Sequence, residues 1–244
     1  MDIFNIKLEF NPDVFYSTVN DAIKNKKKGY VCVCDTSVLT RANKEPEYNK
    51  IINGAMINTC DGSSIIVLAK MLYKGIGTPH NGPEVFEHYT KTKLNQVVLG
   101  NTEEMFNTVK EKLISNEDWH GQLVHMQLPF LKVDEFDYEG IAKEINEKGY
   151  DIIWVSLGNP KQEIFMSKII PLLDHGVLFG IGAALNFWVG ELAMPSARIG
   201  SLRLMWLTRM FQDPKRQIKG NWVVIKALPK IVYQEWKRKK SYNK

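Results

Sequence analysis

Six short apolar runs do most to constrain this chain: 30–34 (YVCVC), 55–60 (AMINTC), 96–100 (QVVLG), 122–128 (QLVHMQL), 152–157 (IIWVSL) and 177–181 (VLFGI). Runs of this length and composition, bounded by turn residues, read as strands. The stretches between them, roughly 12–27, 38–52, 63–73, 83–91, 102–115, 138–148 and 161–173, read as helices. Strands that are apolar throughout need cover on both faces, and alternating helices supply it. The expected fold is α/β, a Rossmann-like and mostly parallel sheet with helices on both faces. Residues 1–197 are expected to form it, and 198–244 to form a basic helical appendage.

Charge separates these two parts. The net charge is +5, yet residues 198–244 hold 13 Lys and Arg against only Asp213 and Glu235. The first 197 residues carry a net −6. A slightly acidic body with a basic tail points to phosphates as partners, on a membrane or on nucleic acid. In the tail, helices are expected over 198–212 and 219–240, with Pro229 kinking or splitting the second. Lys219, Lys226, Lys230 and Lys237 fall on one face of that helix. Trp222, Ile225, Val232 and Trp236 fall on another. Such faces suit an interfacial helix on an anionic membrane surface. A helix packed on its own domain with solvated lysines is the alternative. Nucleic acid is not expected as a partner, because the basic residues do not interleave with the tryptophans for base stacking.

Other classes fall away. No run of about 18 uncharged apolar residues is present, and the first residues, MDIFNIKLEF, do not read as a signal peptide. Cys32, Cys34 and Cys60 sit inside strand-like runs, which fits buried, reduced thiols. The five histidines show no metal-ligand spacing, and there is no P-loop or nucleophile elbow. Asp134, Glu135 and Asp137 precede a helix and read as its solvated start. No metal and no cofactor is expected.

Chemistry is expected where strands end. Asp61 follows the run 55–60 directly, at the carboxyl edge of the sheet, where open α/β folds bind ligands. A carboxylate there can accept a proton from a reacting hydroxyl or simply cap the next helix. Asp35-Thr36 follows 30–34 in the same way, with a helix cap as the plainer role. In DIIWVSLGNPKQE, 151–163, a strand turns at Gly158-Asn159 into a helix whose first position suits Pro160. Asn159 is expected to cap, with Gln162 bonding back to it, and the free N–H groups would attract an anion. Gly180-Ile181-Gly182-Ala183-Ala184 follows another strand and permits close backbone approach to a ligand. It lacks the GxGxxG spacing of a dinucleotide site.

Taken together, these segments resemble the WecG/TagA/CpsF glycosyltransferases of bacterial cell-surface polysaccharide synthesis. The similarity covers 31–62 (VCVCDTSVLTRANKEPEYNKIINGAMINTCDG), NGPEVF at 81–86, Pro129-Phe130, DIIWVSLGNPKQEIF running into FGIGAALNFWVG at 151–190, and LMWLTRMFQDPKRQ at 204–217. The resemblance implies a hexosyltransferase-type enzyme, inverting and without a required metal. It would move a ManNAc-, ManNAcA- or hexuronate-like sugar from a UDP-sugar to a polyprenyl-diphosphate-linked sugar. It implies Asp61 as the base, and Pro160, Lys161, Gln162 and Glu163 close to the donor. The basic tail would meet the membrane and help complete the site, making the enzyme cytoplasmic and peripheral on the inner face of the plasma membrane. Asp35 stands where the family has Asn, and Asn186 where it has Asp. Pro79, Met194-Pro195-Ser196 and Met205 replace an Arg, an Arg-Ala-Pro and a Glu of the pattern. Helix N–H groups near Asn159 and Gly182, with Arg209 and Arg216, are the expected partners of the departing diphosphate. A non-catalytic nucleotide-binding module, tethered by the tail, is the competing reading. It would gain weight if Asp61 only capped its helix and faced no cleft.

Overall fold

A computed structural model describes residues 1–190 apart from 62, 80, 117–118, 120 and 183, and then 198–199, 202–203 and 214–242. The chain opens with a small hairpin that the sequence reading missed, β1 (Asp2–Ile3) and β2 (Ile6–Lys7), turned by Phe4 and Asn5 at positive φ. Its Ile3, Phe4 and Ile6 are buried, as are Leu8 and Phe10 beyond it. This segment therefore belongs to the core.

All six expected strands form. They are β3 (Lys28–Cys34), β4 (Ile57–Cys60), β5 (Asn95–Gly100), β6 (Gln122–Met126), β7 (Ile152–Ser156) and β8 (Gly176–Gly180). They make one sheet in the order β4-β3-β8-β7-β5-β6, with every neighbouring pair parallel. The α/β architecture is thus as expected. Central β7 shows why the pattern was continuous. Ile153 and Val155 enter one apolar cluster with Leu178 and Phe165, while Ile152 and Trp154 enter the opposite cluster with Phe86 and Phe179. At the edge, β6 leaves Val124 exposed.

Helices α1 (Pro12–Lys24), α2 (Thr36–Lys44), α3 (Pro46–Asn53), α4 (Ser63–Leu72), α5 (Gly82–Thr90), α6 (Glu103–Ile114), α7 (Tyr138–Lys148), α8 (Lys161–Ile169) and α9 (Ala184–Val189) join the strands. The single helix expected over 38–52 is two. Pro46 has no N–H to continue α2 and holds Glu45 extended at φ −116°, ψ 105°. Likewise α8 gives way to a 3-10 turn, Ile170–Leu172, at Pro171.

The tail departs further. The helix expected from 198 is not there: β9 (Arg198–Ile199) pairs antiparallel with β10 (Leu202–Arg203), with Ile199 opposite Leu202. The sequence Gly200-Ser201 between two apolar residues is a hairpin signal that the helical reading passed over. The rest of that expected helix, 204–212, lies outside the described residues. The C-terminal helix runs from Pro214 to Tyr242 and is not split at Pro229, which is exposed. Its expected apolar face is two faces. Ile231 and Glu235 are buried and Val232 half-buried, facing α2 and the N-terminal hairpin, whereas Tyr233 and Trp236 face outward. Lys226, Lys230 and Lys237 are exposed. Nothing is described of the Lys219, Trp222 and Ile225 side chains.

Candidate active site

The carboxyl ends of four adjacent strands converge on one cleft of about 230 Å³. Val33 and Asp35 enter it from β3, Asp61 from β4, Gly158 and Asn159 from β7, and Gly180, Ile181 and Gly182 from β8; Gln162 and Glu163 line it from α8. This is where the reversal of strand order opens a crevice in a parallel sheet. That volume is below the roughly 300–1,000 Å³ of drug-sized pockets.

Asp61 is half-buried. Its N–H donates to the Cys34 carbonyl at 2.7 Å, so the β3–β4 ladder continues one residue past β4 and holds the carboxylate at the mouth of the cleft. Asp35 is a helix cap that also lines the cleft. One of its oxygens accepts from the N–H groups of Ser37 (2.8 Å) and Val38 (2.9 Å) and from the Ser37 hydroxyl (2.6 Å). That use of an Asp before α2 is what N-capping requires.

The β7–α8 turn differs from the expected capping box. Pro160 takes the N-cap position, the Asn159–Pro160 bond is cis, and no side chain caps the helix. The Gln162 N–H donates to the Gly158 carbonyl at 2.9 Å. An anion does sit at this helix start, but it belongs to the chain. Glu163 accepts from its own N–H, from Gln162 Nε2 at 2.8 Å and from Asn159 Nδ2 at 3.1 Å, and Tyr48 bonds to it as well. Tyr48, on α3, also accepts from Asn159 Nδ2 at 2.6 Å. Glu163 is fully buried. Burial raises its pKa from 4.5 to about 7 against the pull of those donors. A carboxyl that burial pushes up toward neutrality in a cleft is a candidate functional group.

The glycine pair after β8 also has a specific neighbour. A Cβ on Gly180 would lie 3.1 Å from Gln162 Nε2, and one on Gly182 would lie 3.1 Å from Gln162 Oε1. Gly182 has φ +45°. The close approach these glycines permit is made by the Gln162 amide.

The cleft therefore gathers Asp35, Asp61, Asn159, Gln162, Glu163 and Gly182. Thr36, Lys161 and Asn186 do not line it. Thr36 begins α2, and Asn186 lies along α9. Lys161 turns away, donating to the Leu131 carbonyl and lying over the Phe130 and Phe136 rings at 5.4 and 4.8 Å. Arg209 is outside the described residues, and for Arg216 only its place in the C-terminal helix is described. Sequence reasoning missed Tyr48, which nothing in 46–53 distinguishes from an ordinary helix aromatic. It also missed Ser37, which the Asp35-Thr-Ser string of a capped helix start does signal.

Among the described residues, no lysine or arginine lines the cleft. Among the described residues no group of His, Cys, Asp and Glu is placed to hold a metal ion. Cys32, Cys34 and Cys60 are free and buried, and burial pushes all three thiols up. No helix among the described residues is long and apolar enough to cross a membrane. A parallel α/β sheet with carboxylates and a buried polar cluster lining a cleft at its carboxyl edge has the architecture expected of a site for chemistry on a bound ligand. The glycosyl transferase WecG/TagA/CpsF family matches this chain over residues 1–243, and the chain belongs to that family.

Proposed function

We propose that the cleft holds the sugar of a UDP-sugar and that Asp61 is the base in an inverting transfer to a lipid-diphosphate-linked sugar. Family membership makes the chain a glycosyltransferase of cell-surface polysaccharide synthesis, with a nucleotide-sugar donor and a sugar acceptor. The observation that carries the finer reading is Asp61 on the cleft lip, anchored through its own N–H to Cys34. Asp61 takes the acceptor hydroxyl proton as that oxygen bonds to the anomeric carbon. The bond to UDP breaks on the opposite face, and the electron pair leaves with the diphosphate. No metal is required in this reading.

Charge decides how the donor lies. Among the described residues three carboxyl groups and no lysine or arginine line the cleft, so in this reading the sugar enters it and the diphosphate lies toward the basic tail. A hexuronate would bring a fourth carboxyl group among them, and like charges close together are costly. A neutral, ManNAc-like sugar fits better. The departing diphosphate then needs cations from another part of the chain, and Arg209 and Arg216 are the proposed source. UDP release tests this. UDP-ManNAc with a lipid-diphosphate-linked GlcNAc is expected to release UDP, and UDP-glucuronate to release far less. Release from UDP-ManNAc that the acceptor does not accelerate would count against transfer.

The outer face of the C-terminal helix is the proposed membrane contact, on the inner leaflet. Tyr233 and Trp236 are 53% and 40% exposed and stack at 6.0 Å. Lys237 lies 5.0 Å over the Tyr233 ring and Lys240 3.8 Å over the Trp236 ring. Aromatic rings flanked by lysines suit the boundary between headgroups and acyl chains. Each basic residue contributes about 1 kcal/mol on an anionic surface. Replacing Lys237 and Lys240 by Gln is therefore expected to weaken binding to phosphatidylglycerol vesicles by roughly 30-fold, read by co-sedimentation. Unchanged sedimentation would remove this face from the membrane. Truncation at 198 is a poor test, because it also strips Ile231 and Glu235 from the core.

A further inference from the structure

The Gln162 side chain is 4% exposed, and its Oε1 is buried with no hydrogen-bond partner. A buried acceptor left unpaired is costly, and such atoms in a folded protein call for an explanation. The other end of the same amide explains it. Nε2 donates to Glu163 Oε1 at 2.8 Å, which points Oε1 toward Gly182 on the cleft wall. Flipping the amide would set its oxygen against an ionised carboxylate. We propose that Glu163 is a positioning residue: it locks the Gln162 amide with Oε1 as the presented acceptor, and the cleft thereby selects a donor substrate that offers an O–H or N–H there. This inference rests on the UDP-sugar reading and names what the site demands of that ligand. Two parts of a UDP-sugar carry the required group, a sugar hydroxyl or N-acetyl N–H and the uracil N3–H.

The lock has a built-in release. A protonated Glu163 can donate to an amide oxygen, so both orientations of Gln162 become tolerable. Burial places that protonation near pH 7. The titratable groups facing Glu163 are Tyr48 from α3 and the Cys32 and Cys34 thiols from β3, with Asp35 before α2 and Asp61 beyond β4 lining the same cleft. Tyr48 and both thiols have pKa values raised by burial and stay neutral through this range. Binding of the donor is therefore expected to weaken as pH falls through about 7, where Glu163 takes up its proton.

Two measurements on the full chain test this. The first follows the Gln162 Nε2 resonances in ¹⁵N-glutamine-labelled protein, identified by their loss in Gln162→Met. They are expected to shift with pH about a midpoint near 7 and to show no such titration in Glu163→Gln. The second is calorimetric binding of UDP-ManNAc, UDP and 3-methyl-UDP at pH 8. Glu163→Gln is expected to weaken UDP-ManNAc by about tenfold, and to add nothing in a Gln162→Met background. A loss confined to UDP-ManNAc assigns the contact to the sugar. An equal loss with UDP, mirrored by 3-methyl-UDP on the wild-type chain, assigns it to the uracil. Unchanged affinity, an equal loss in the Gln162→Met background, or flat Gln162 resonances would overturn the proposal. An intact titration with no UDP compound bound would overturn the UDP-sugar reading and leave the amide lock standing.

Discussion

Asp61→Asn is expected to lower sugar transfer by about 10²–10⁴-fold while leaving the fold and the affinity for UDP in place. The substitution is close to isosteric and keeps the N–H that bonds to Cys34, so the strand end stays where it is. What it removes is the ability to take a proton at the cleft lip. The other two carboxyl groups are already engaged. Asp35 holds three donors of its own helix start, and Glu163 is buried behind Gln162 and Asn159, held by both. Asp35 lines the same cleft, and an Asp35→Asn variant that keeps most of the transfer would separate its capping role from the chemistry of Asp61. Single-turnover transfer with a lipid-linked acceptor measures the loss, and UDP calorimetry with a thermal melt checks the rest. Transfer within a few-fold of wild type would remove Asp61 from the chemistry.

The parts of this molecule that could be read from the sequence are those fixed by local pattern. The six strands showed because both faces of each central strand meet apolar side chains, as Ile152 to Val155 do. Asp61 and Gln162 could be placed at the cleft because a strand end in a parallel sheet has only one edge to face. What was misread depended on weighing two local signals. Pro160 suits the first helical position but takes the cap, and Gln162 and Glu163 become the second and third helical residues. The carboxylate at the helix start is consequently Glu163, not a ligand. Pro46 and Gly200-Ser201 were visible breakers, overridden by helical periodicity around them. Tyr48 and the burial of Glu235 come only from long-range packing, which no spacing encodes.

That packing yields the second large effect. Glu235→Ala is expected to destabilise the fold by roughly 2–3 kcal/mol, below the roughly 3–5 typical of a broken buried ion pair because Arg238 is partly solvated. Glu235 is 3% exposed, although it sits on the most basic element of the chain. Its carboxylate accepts from the Phe4 N–H at 2.9 Å, from the Tyr73 hydroxyl, and from Arg238 Nη2 at 2.8 Å. Arg238, 34% exposed in its side chain, also pairs with Asp2 at 3.1 Å. Lys239 closes the cluster by donating to the Leu72 carbonyl at the end of α4. One carboxylate thus ties the C-terminal helix to the N-terminal hairpin and to the helix that follows Asp61. Alanine leaves the buried Phe4 N–H without an acceptor, while Arg238 keeps Asp2, so the loss exceeds that of a surface pair chiefly through Phe4 and the Tyr73 hydroxyl. For a chain of this length the melting temperature should fall by roughly 4–12 °C. Hydrogen exchange should quicken at the Phe4 amide and along the last turns of the helix. The companion Arg238→Ala removes a partner that water can partly replace, so its loss should be smaller, with a measurable coupling in the double mutant. A Glu235→Ala protein that melts within a degree of wild type would show that the helix is held by Ile231 and its apolar neighbours alone.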